Sequence, residues 1–180
     1  MSILGPPPIS AVQLARRIAS ESDLTWDRSQ RSIKNCLYKL GSHFGRVFCH
    51  RKGLPPETKV HEWLLDMVWT NQQGMRLAVE SELSRDNRHR LDDFEKLMYV
   101  KSPLKLFIYK ATKSPDDRDK CHASLAEYMQ DLSQNIEGEE YLLMEVKDGQ
   151  AHFFRYSVPN SGSVTNVAFA PLELKQGSSA

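Results

Sequence analysis

The sequence contains little cysteine and lacks the spacing motifs that most often reveal a metal or nucleotide site. Its three cysteines, Cys36, Cys49 and Cys121, form no CxxC pair, which argues against a disulfide scaffold and against structural zinc. The six histidines show no HxxxH or HExxH spacing, so a zinc enzyme is not expected. GxSxG, P-loop and GxGxxG motifs are absent, which disfavours the hydrolases, NTPases and dinucleotide-binding proteins that use them.

Long apolar runs and a strong excess of one charge are absent as well. No run approaches the length of a membrane span, and the N-terminus lacks the apolar core of a signal peptide. The net charge is only +1, so any nucleic-acid surface must be a local basic patch. We therefore expect a soluble, cytoplasmic protein with no membrane partner. The 180 residues suit a single domain with a sizeable core.

The hydrophobic pattern predicts an α/β protein in which helices alternate with strands. Asp148-Gly149 is typical of a two-residue hairpin turn, and 1–9 and 175–180 are expected to be disordered tails. The predicted helices span 10–21, about 27 to 41 or 45, 87–101, and 115 to about 138. The predicted strands span 46–50, 61–69, 75–82, 104–109, 141–146, 152–156 and 167–169.

Four carboxylates lie on the two neighbouring strands predicted at 61–69 and 75–82. Because side chains alternate along a strand, Glu62 and Asp66 share one face of the first strand. Glu80 and Glu82 likewise share one face of the second strand. If the strands pair as a hairpin, their carboxylates would repel one another unless a cation lies between them. Carboxylate oxygens are the ligands that Mg²⁺ prefers, and metal-dependent sites are commonly used for phosphodiester chemistry.

Solvated charges on an exposed sheet face are the alternative explanation for these acids. Both strands are apolar on both faces, however, as in a sheet covered on both sides, and this favours a metal site. Glu62 lies at the start of its strand and is therefore treated only as a supporting residue.

The order of helix, three strands, helix and strand over 27–110 resembles the core of the PD-(D/E)xK, or restriction-endonuclease-like, superfamily. Asp66 matches the acid on the second strand of that core, and Glu80-Ser81-Glu82 matches the short acidic motif on the third. The resemblance implies a restriction-endonuclease-like α-β-β-β-α-β core with a mixed sheet flanked by helices. A C-terminal helix and β-hairpin would be additions to that core.

The resemblance also implies an activity, which is metal-dependent hydrolysis of DNA. Asp66, Glu80 and Glu82 would bind Mg²⁺ or Mn²⁺. Glu82 stands where the family usually has a lysine, and in some members that lysine comes from the next helix, which makes Lys96 the candidate here. On a helical wheel Lys96 lies well away from the centre of the apolar face, so only the resemblance implies its role.

Basic residues follow the acidic motif directly, and we predict that Arg85, Arg88 and Arg90 contact DNA. Two other functions stay open at this point. One is a nucleic-acid-binding or regulatory module of the same fold that has lost catalysis, because the usual lysine is missing. The other is an α/β protein-interaction domain with no nucleic-acid role. The resemblance is also compatible with a homodimer, for which the C-terminal hairpin would offer a sheet edge.

Overall fold

A computed structural model of the protein describes residues 7–25, 29–49, 64–83, 87–131, 135–159 and 167–173. The helices are α1 (Ala11–Glu21), α2 (Ser29–Ser42), α3 (Asn87–Tyr99) and α4 (Pro115–Asp131). The strands are β1 (Arg46–Cys49), β2 (Met67–Asn71), β3 (Gly74–Glu82), β4 (Leu104–Lys110), β5 (Glu140–Lys147), β6 (Gln150–Ser157) and β7 (Ala170–Pro171). The predicted α/β class is confirmed, and the sheet is mixed and flanked by helices.

The seven strands form one sheet in which spatial order follows chain order. β1, β2 and β3 form an antiparallel meander. β3, β4 and β5 are parallel, because α3 and α4 each return the chain to the start of the next strand. β6 and β7 then add antiparallel pairs. The parallel strands therefore all end on one side of the molecule, which we call the carboxyl end of the sheet.

Both faces of the sheet are buried, as the apolar pattern of the strands predicts. Leu77 and Val79 of β3 pack into a core with α1 and α2. Ala78, between them in sequence, packs into a second core with α3 and α4. Because side chains alternate along β3, Glu80 is directed to the same face as Ala78, toward α3.

The start of α1 shows how local sequence determines the element. The Ser10 hydroxyl accepts a hydrogen bond from the Gln13 backbone N–H at 3.2 Å. The Gln13 side chain in turn accepts one from the Ser10 backbone N–H at 3.1 Å. This capping box satisfies amide groups that have no partner within the helix, and it makes Ser10 the N-cap of the helix predicted at 10–21.

Three predicted boundaries require correction. The strand predicted at 61–69 begins only at Met67, because Leu64 to Asp66 form a bend; 61–63 lie outside the described residues. Helix α4 is described to Asp131, and Gly138, where the prediction ends the helix, lies in a turn. The Asn135 side-chain amide donates to the Met129 carbonyl and satisfies one of the last carbonyls of the described helix.

The last strand lies at Ala170–Pro171 instead of 167–169. Phe169 is used for packing against the α3–α4 face, and Pro171 stands in a short outer strand, where the lack of an N–H is tolerated. β7 pairs with Phe154 and Arg155 of β6, so this part of the C-terminal hairpin is not an open sheet edge.

The Asp148-Gly149 turn between β5 and β6 is confirmed. Asp148 has a φ of 47° and Gly149 a φ of 80°, which is the left-handed backbone that this hairpin turn requires. Of the predicted tails, 1–6 and 175–180 lie outside the described residues. Ile9, which the prediction places in the N-terminal tail, packs against the core instead.

Candidate active site

Glu80 is a buried carboxyl inside β3. It is only 3% exposed, and its Oε1 atom is buried without a hydrogen-bond partner among the described residues. Burial raises the pKa of Glu80 to about 8, and the nearby Asp66 charge acts in the same direction. The positive charge of Lys96 lowers this pKa but does not outweigh the burial. The site therefore contains an acid whose ionised form is not fully compensated by the protein.

Asp66 lies next to Glu80 because it immediately precedes β2, where Met67 pairs with Val79. Its Oδ2 atom accepts hydrogen bonds from both the backbone N–H of Ser81, at 3.0 Å, and the Ser81 hydroxyl. The backbone N–H of Asp66 also donates toward the Glu80 carboxyl, which lowers the pKa of Glu80 slightly. The bend before β2 thus fixes both the position and the orientation of Asp66.

A lysine from α2 approaches Asp66 from the other face of the sheet. Lys34 Nζ lies 3.5 Å from Asp66 Oδ1, and Lys34 is only 7% exposed. A buried ammonium group requires a partner of opposite charge, and Asp66 supplies it. Asp66 therefore has a hydrogen-bonded oxygen on one side and a cation on the other.

Helix α3 contributes a second cation to the site. Lys96 Nζ forms an ion pair with Asp93 Oδ1, and this hydrogen bond raises the pKa of Lys96, to which Glu80 and Asp66 also contribute. The Lys96 side chain remains 38% exposed. The structure therefore brings Lys96 into the electrostatic neighbourhood of both acids.

Glu82 lies on the same face of β3 as Glu80, two residues nearer the carboxyl end, and is directed toward Asp93. Burial raises the pKa of Asp93, while the hydrogen bond from Lys96 opposes this effect. The Glu82 carboxyl acts in the same direction as burial, both through its charge and through a hydrogen bond with Asp93. Three carboxyl groups, Asp93, Glu80 and Asp66, thus act on Lys96, and Glu82 acts on Asp93.

The arrangement of these carboxyl groups meets only some of the requirements of a metal-ion site. Within the described ranges, no set of three or more His, Cys, Asp or Glu side chains is arranged to hold a metal ion. Asp66, Glu80 and Glu82 are therefore not brought together as one three-carboxylate group. Mg²⁺ commonly uses only one or two protein carboxylates and keeps several waters, however. The adjacent pair of Asp66 and Glu80, with the unpartnered Oε1 of Glu80, suits that type of coordination.

The three arginines predicted to contact DNA differ in their exposure to solvent and in whether the structure describes them. Arg88 is exposed near the start of α3, whereas Arg85 and the supporting residue Glu62 lie outside the described residues. Arg90 is only 2% exposed and donates from Nη2 to the Lys110 carbonyl at 3.0 Å. It lies one turn before Phe94 on the packed face of α3, so its position does not support the predicted contact with DNA.

Sequence reasoning missed Lys34, Ser81 and Asp93 as parts of the site. Lys34 is a charged residue, for which exposure is the usual expectation, although it adjoins the apolar stripe of Ile33 and Leu37. That position, next to the stripe, was the available signal for burial. The role of Ser81 depends on a backbone bend at Asp66 that no sequence pattern indicates.

Comparison of the chain with protein-family models, curated proteins and solved structures finds no match. In the part of the chain that the structure describes, none of the helices has the length and hydropathy needed to cross a membrane.

Proposed function

We propose that this protein is a metal-dependent nuclease of the PD-(D/E)xK type that hydrolyses phosphodiester bonds in DNA. The observation that supports this most directly is the group formed by Asp66, Glu80 and Lys96. Asp66, in the bend before β2, and Glu80, on the neighbouring strand β3, lie side by side, and Oε1 of Glu80 is buried without a hydrogen-bond partner in the part of the chain that the structure describes. A lysine from the following helix interacts electrostatically with both.

The fold supports the same proposal. The described elements α2, β1, β2, β3, α3 and β4 follow the order that the resemblance implies. One acid immediately precedes the second strand of that series and the other lies within the third. The lysine comes from α3, which is where some members without a lysine in the strand motif supply it. These positions agree with one another although the motif itself is short.

Each side chain would have a distinct part in the reaction. Asp66 and Glu80 would hold Mg²⁺ or Mn²⁺, with Glu82 as a further ligand or as the group that orients water. The ion would supply a polarised phosphate and a more acidic bound water. Lys96 would stabilise the negative charge that develops on the phosphate. Lys34 and Ser81, which contact the two oxygens of Asp66, would hold its carboxyl group in position.

A DNA-binding module that has lost catalysis is the second candidate. It is favoured by Glu82 at the usual lysine position and by the absence of a three-carboxylate group among the described residues. The two candidates differ in one measurable property, since only the nuclease converts bound DNA to product.

The test is cleavage of supercoiled plasmid and of a labelled duplex, with Mg²⁺, with Mn²⁺ and with EDTA. We expect nicked or linear product that requires the metal. Lys96→Met should reduce the cleavage rate by about 100-fold, because one preorganised charge-stabilising group is removed. Lys101→Met is the matched control, since Lys101 is exposed and lies beyond the end of α3; its rate should equal that of the wild type.

Three outcomes would contradict the proposal in different ways. Binding of DNA without cleavage by either metal would support the inactive module. If Lys96→Met and Lys101→Met lose the same fraction of the cleavage rate, Lys96 has no specific part in the reaction. Neither cleavage nor salt-dependent binding of DNA would leave the protein-interaction domain as the better description.

A further inference from the structure

A lysine-rich groove lies at the carboxyl end of the sheet, where β4 and β5 finish. It has a volume of about 460 Å³ and is lined by Lys110, Lys113, Lys147 and Asp148, among others. Lys113 and Lys147 are exposed and Lys110 is half-buried. In sheets of parallel strands, ligands bind beyond the carboxyl ends of the strands, so the groove occupies a position where binding is expected.

Strand register places this groove beside the candidate active site. Glu82, at the end of β3, pairs with Tyr109 of β4, and Lys110 follows directly. Lys110 pairs with Val146 of β5, and Lys147 follows that residue. Adjacent strands are about 4.8 Å apart, so the ends of β3 and β5 are separated by about 10 Å. Glu82 at the end of β3 and Lys147 at the end of β5 therefore lie two strand spacings apart.

The local charge of the groove is positive although the chain as a whole carries a net charge of only +1. Its lining has three lysines and one aspartate. The nearby Asp117 carboxyl accepts a hydrogen bond from the Ser114 hydroxyl at 3.0 Å, at the start of α4, so it is already used in capping the helix. A patch of this sign on a nearly neutral protein attracts polyanions locally.

We propose that this groove binds the phosphate backbone of duplex DNA next to the scissile phosphate, with Lys113 and Lys147 as its principal contacts. The inference rests on the proposed nuclease function, because it identifies the path of the substrate away from Glu80. One DNA strand has a phosphate for about every 3.4 Å of helix axis. A span of about 10 Å therefore corresponds to about three phosphates of one strand.

The experiment measures binding of a 30-base-pair duplex over a series of salt concentrations, in EDTA, for the full chain. The variant Lys113→Gln/Lys147→Gln is compared with Lys39→Gln/Lys101→Gln. Each variant removes two exposed lysines. The control pair lies toward the opposite end of the sheet, because Lys39 is in the last turn of α2 before β1 and Lys101 precedes β4. Plasmid cleavage with Mg²⁺ is measured in parallel.

A lysine that neutralises a phosphate contributes about 0.9 to the slope of log K against log salt. We expect the slope of Lys113→Gln/Lys147→Gln, the groove variant, to be shallower by about 1.8 than that of the wild type. The control variant, Lys39→Gln/Lys101→Gln, should keep the wild-type slope. If the two variants have equal slopes of log K against log salt and the wild type cleaves DNA, the proposal that the groove binds DNA is overturned while the nuclease proposal stands. A shallower slope in the groove variant alone, without cleavage by the wild type, would support the groove and contradict the nuclease. No binding by the wild type would overturn both.

Discussion

Replacement of Glu80 by glutamine is expected to make the protein more stable at neutral pH and to remove the nuclease activity that we propose. Burial raises the pKa of Glu80 from 4.5 to about 8, so the folded state binds this proton more tightly than the unfolded chain does. The tightly bound proton on Glu80 stabilises the folded state. This contribution to the free energy of unfolding is fully present below pH 4.5, falls as the pH rises, and is lost above pH 8. Glutamine has no charge to bury and avoids that loss.

The expected gain in stability at pH 7 is about 1–3 kcal/mol. Its upper bound follows from about 1.4 kcal/mol for each pH unit between the ordinary pKa and pH 7, less the cost of burying the new amide. Urea unfolding at pH 4.5 and pH 8 measures this gain. The free energies of unfolding of the wild type and of Glu80→Gln should differ little at pH 4.5 and most at pH 8. Glu127→Gln, an exposed position on α4, should change stability by less than about 0.5 kcal/mol at either pH.

The activity of Glu80→Gln should fall by at least about 1000-fold, because the amide cannot replace a carboxylate as a ligand for the ion that activates water. Millimolar Mg²⁺ should raise the melting temperature of the wild type and leave that of the variant unchanged. A variant that is more stable yet inactive would show that Glu80 is kept for the reaction and not for the fold. A less stable variant would mean that the Glu80 carboxyl has a partner that stabilises its charge.

The sequence was sufficient to predict the β3 part of the site because strand alternation is rigid. Leu77 and Val79 had to share one face, so Ala78 and Glu80 had to share the other. Asp148-Gly149 fixed the turn between β5 and β6 for an equally local reason, since the backbone preference of this pair does not depend on distant contacts. Such features were predicted within a few residues of where the structure has them.

The lysines were harder to predict because a helical wheel describes where a side chain starts and not where it ends. Lys96 begins away from the centre of the apolar face of α3, yet its long stem allows the ammonium group to reach toward Glu80. Lys34 begins beside the apolar stripe of α2 and reaches Asp66 in the bend before β2. Arg90 shows the opposite case, in which a residue expected at the surface lies buried.

Replacement of Lys105 by methionine is expected to destabilise the protein by about 3–5 kcal/mol, the usual cost of breaking a buried ion pair by removing one partner. Lys105 Nζ lies 2.7 Å from Glu139 Oε2, and both side chains are fully buried. Burial lowers the pKa of Lys105 and raises that of Glu139, while their mutual attraction opposes both changes. Without Lys105, the Glu139 carboxylate would be left in the core without a cation.

The double variant Lys105→Met/Glu139→Met should recover most of this loss, because buried pairs can be replaced by apolar residues at little net cost. The Tyr141 hydroxyl, which accepts from Lys105 at 2.9 Å, keeps its hydrogen bond to Asn135 at 3.1 Å. Arg17→Met is the control: its ion pair with Glu21 is similarly short, at 2.8 Å, but exposed, so the loss should be below about 1 kcal/mol. Urea unfolding compares all three variants.

The position of this pair makes the double variant informative about the active site as well. Lys105 and Glu139 join β4 to the start of β5, at the opposite end of these strands from Lys110 and Lys147. If the pair only holds the two strands together, the double variant should fold and retain wild-type cleavage. A double variant as unstable as Lys105→Met would contradict the interpretation of Glu139 as an uncompensated charge. The loss would then arise from packing around the lysine stem instead.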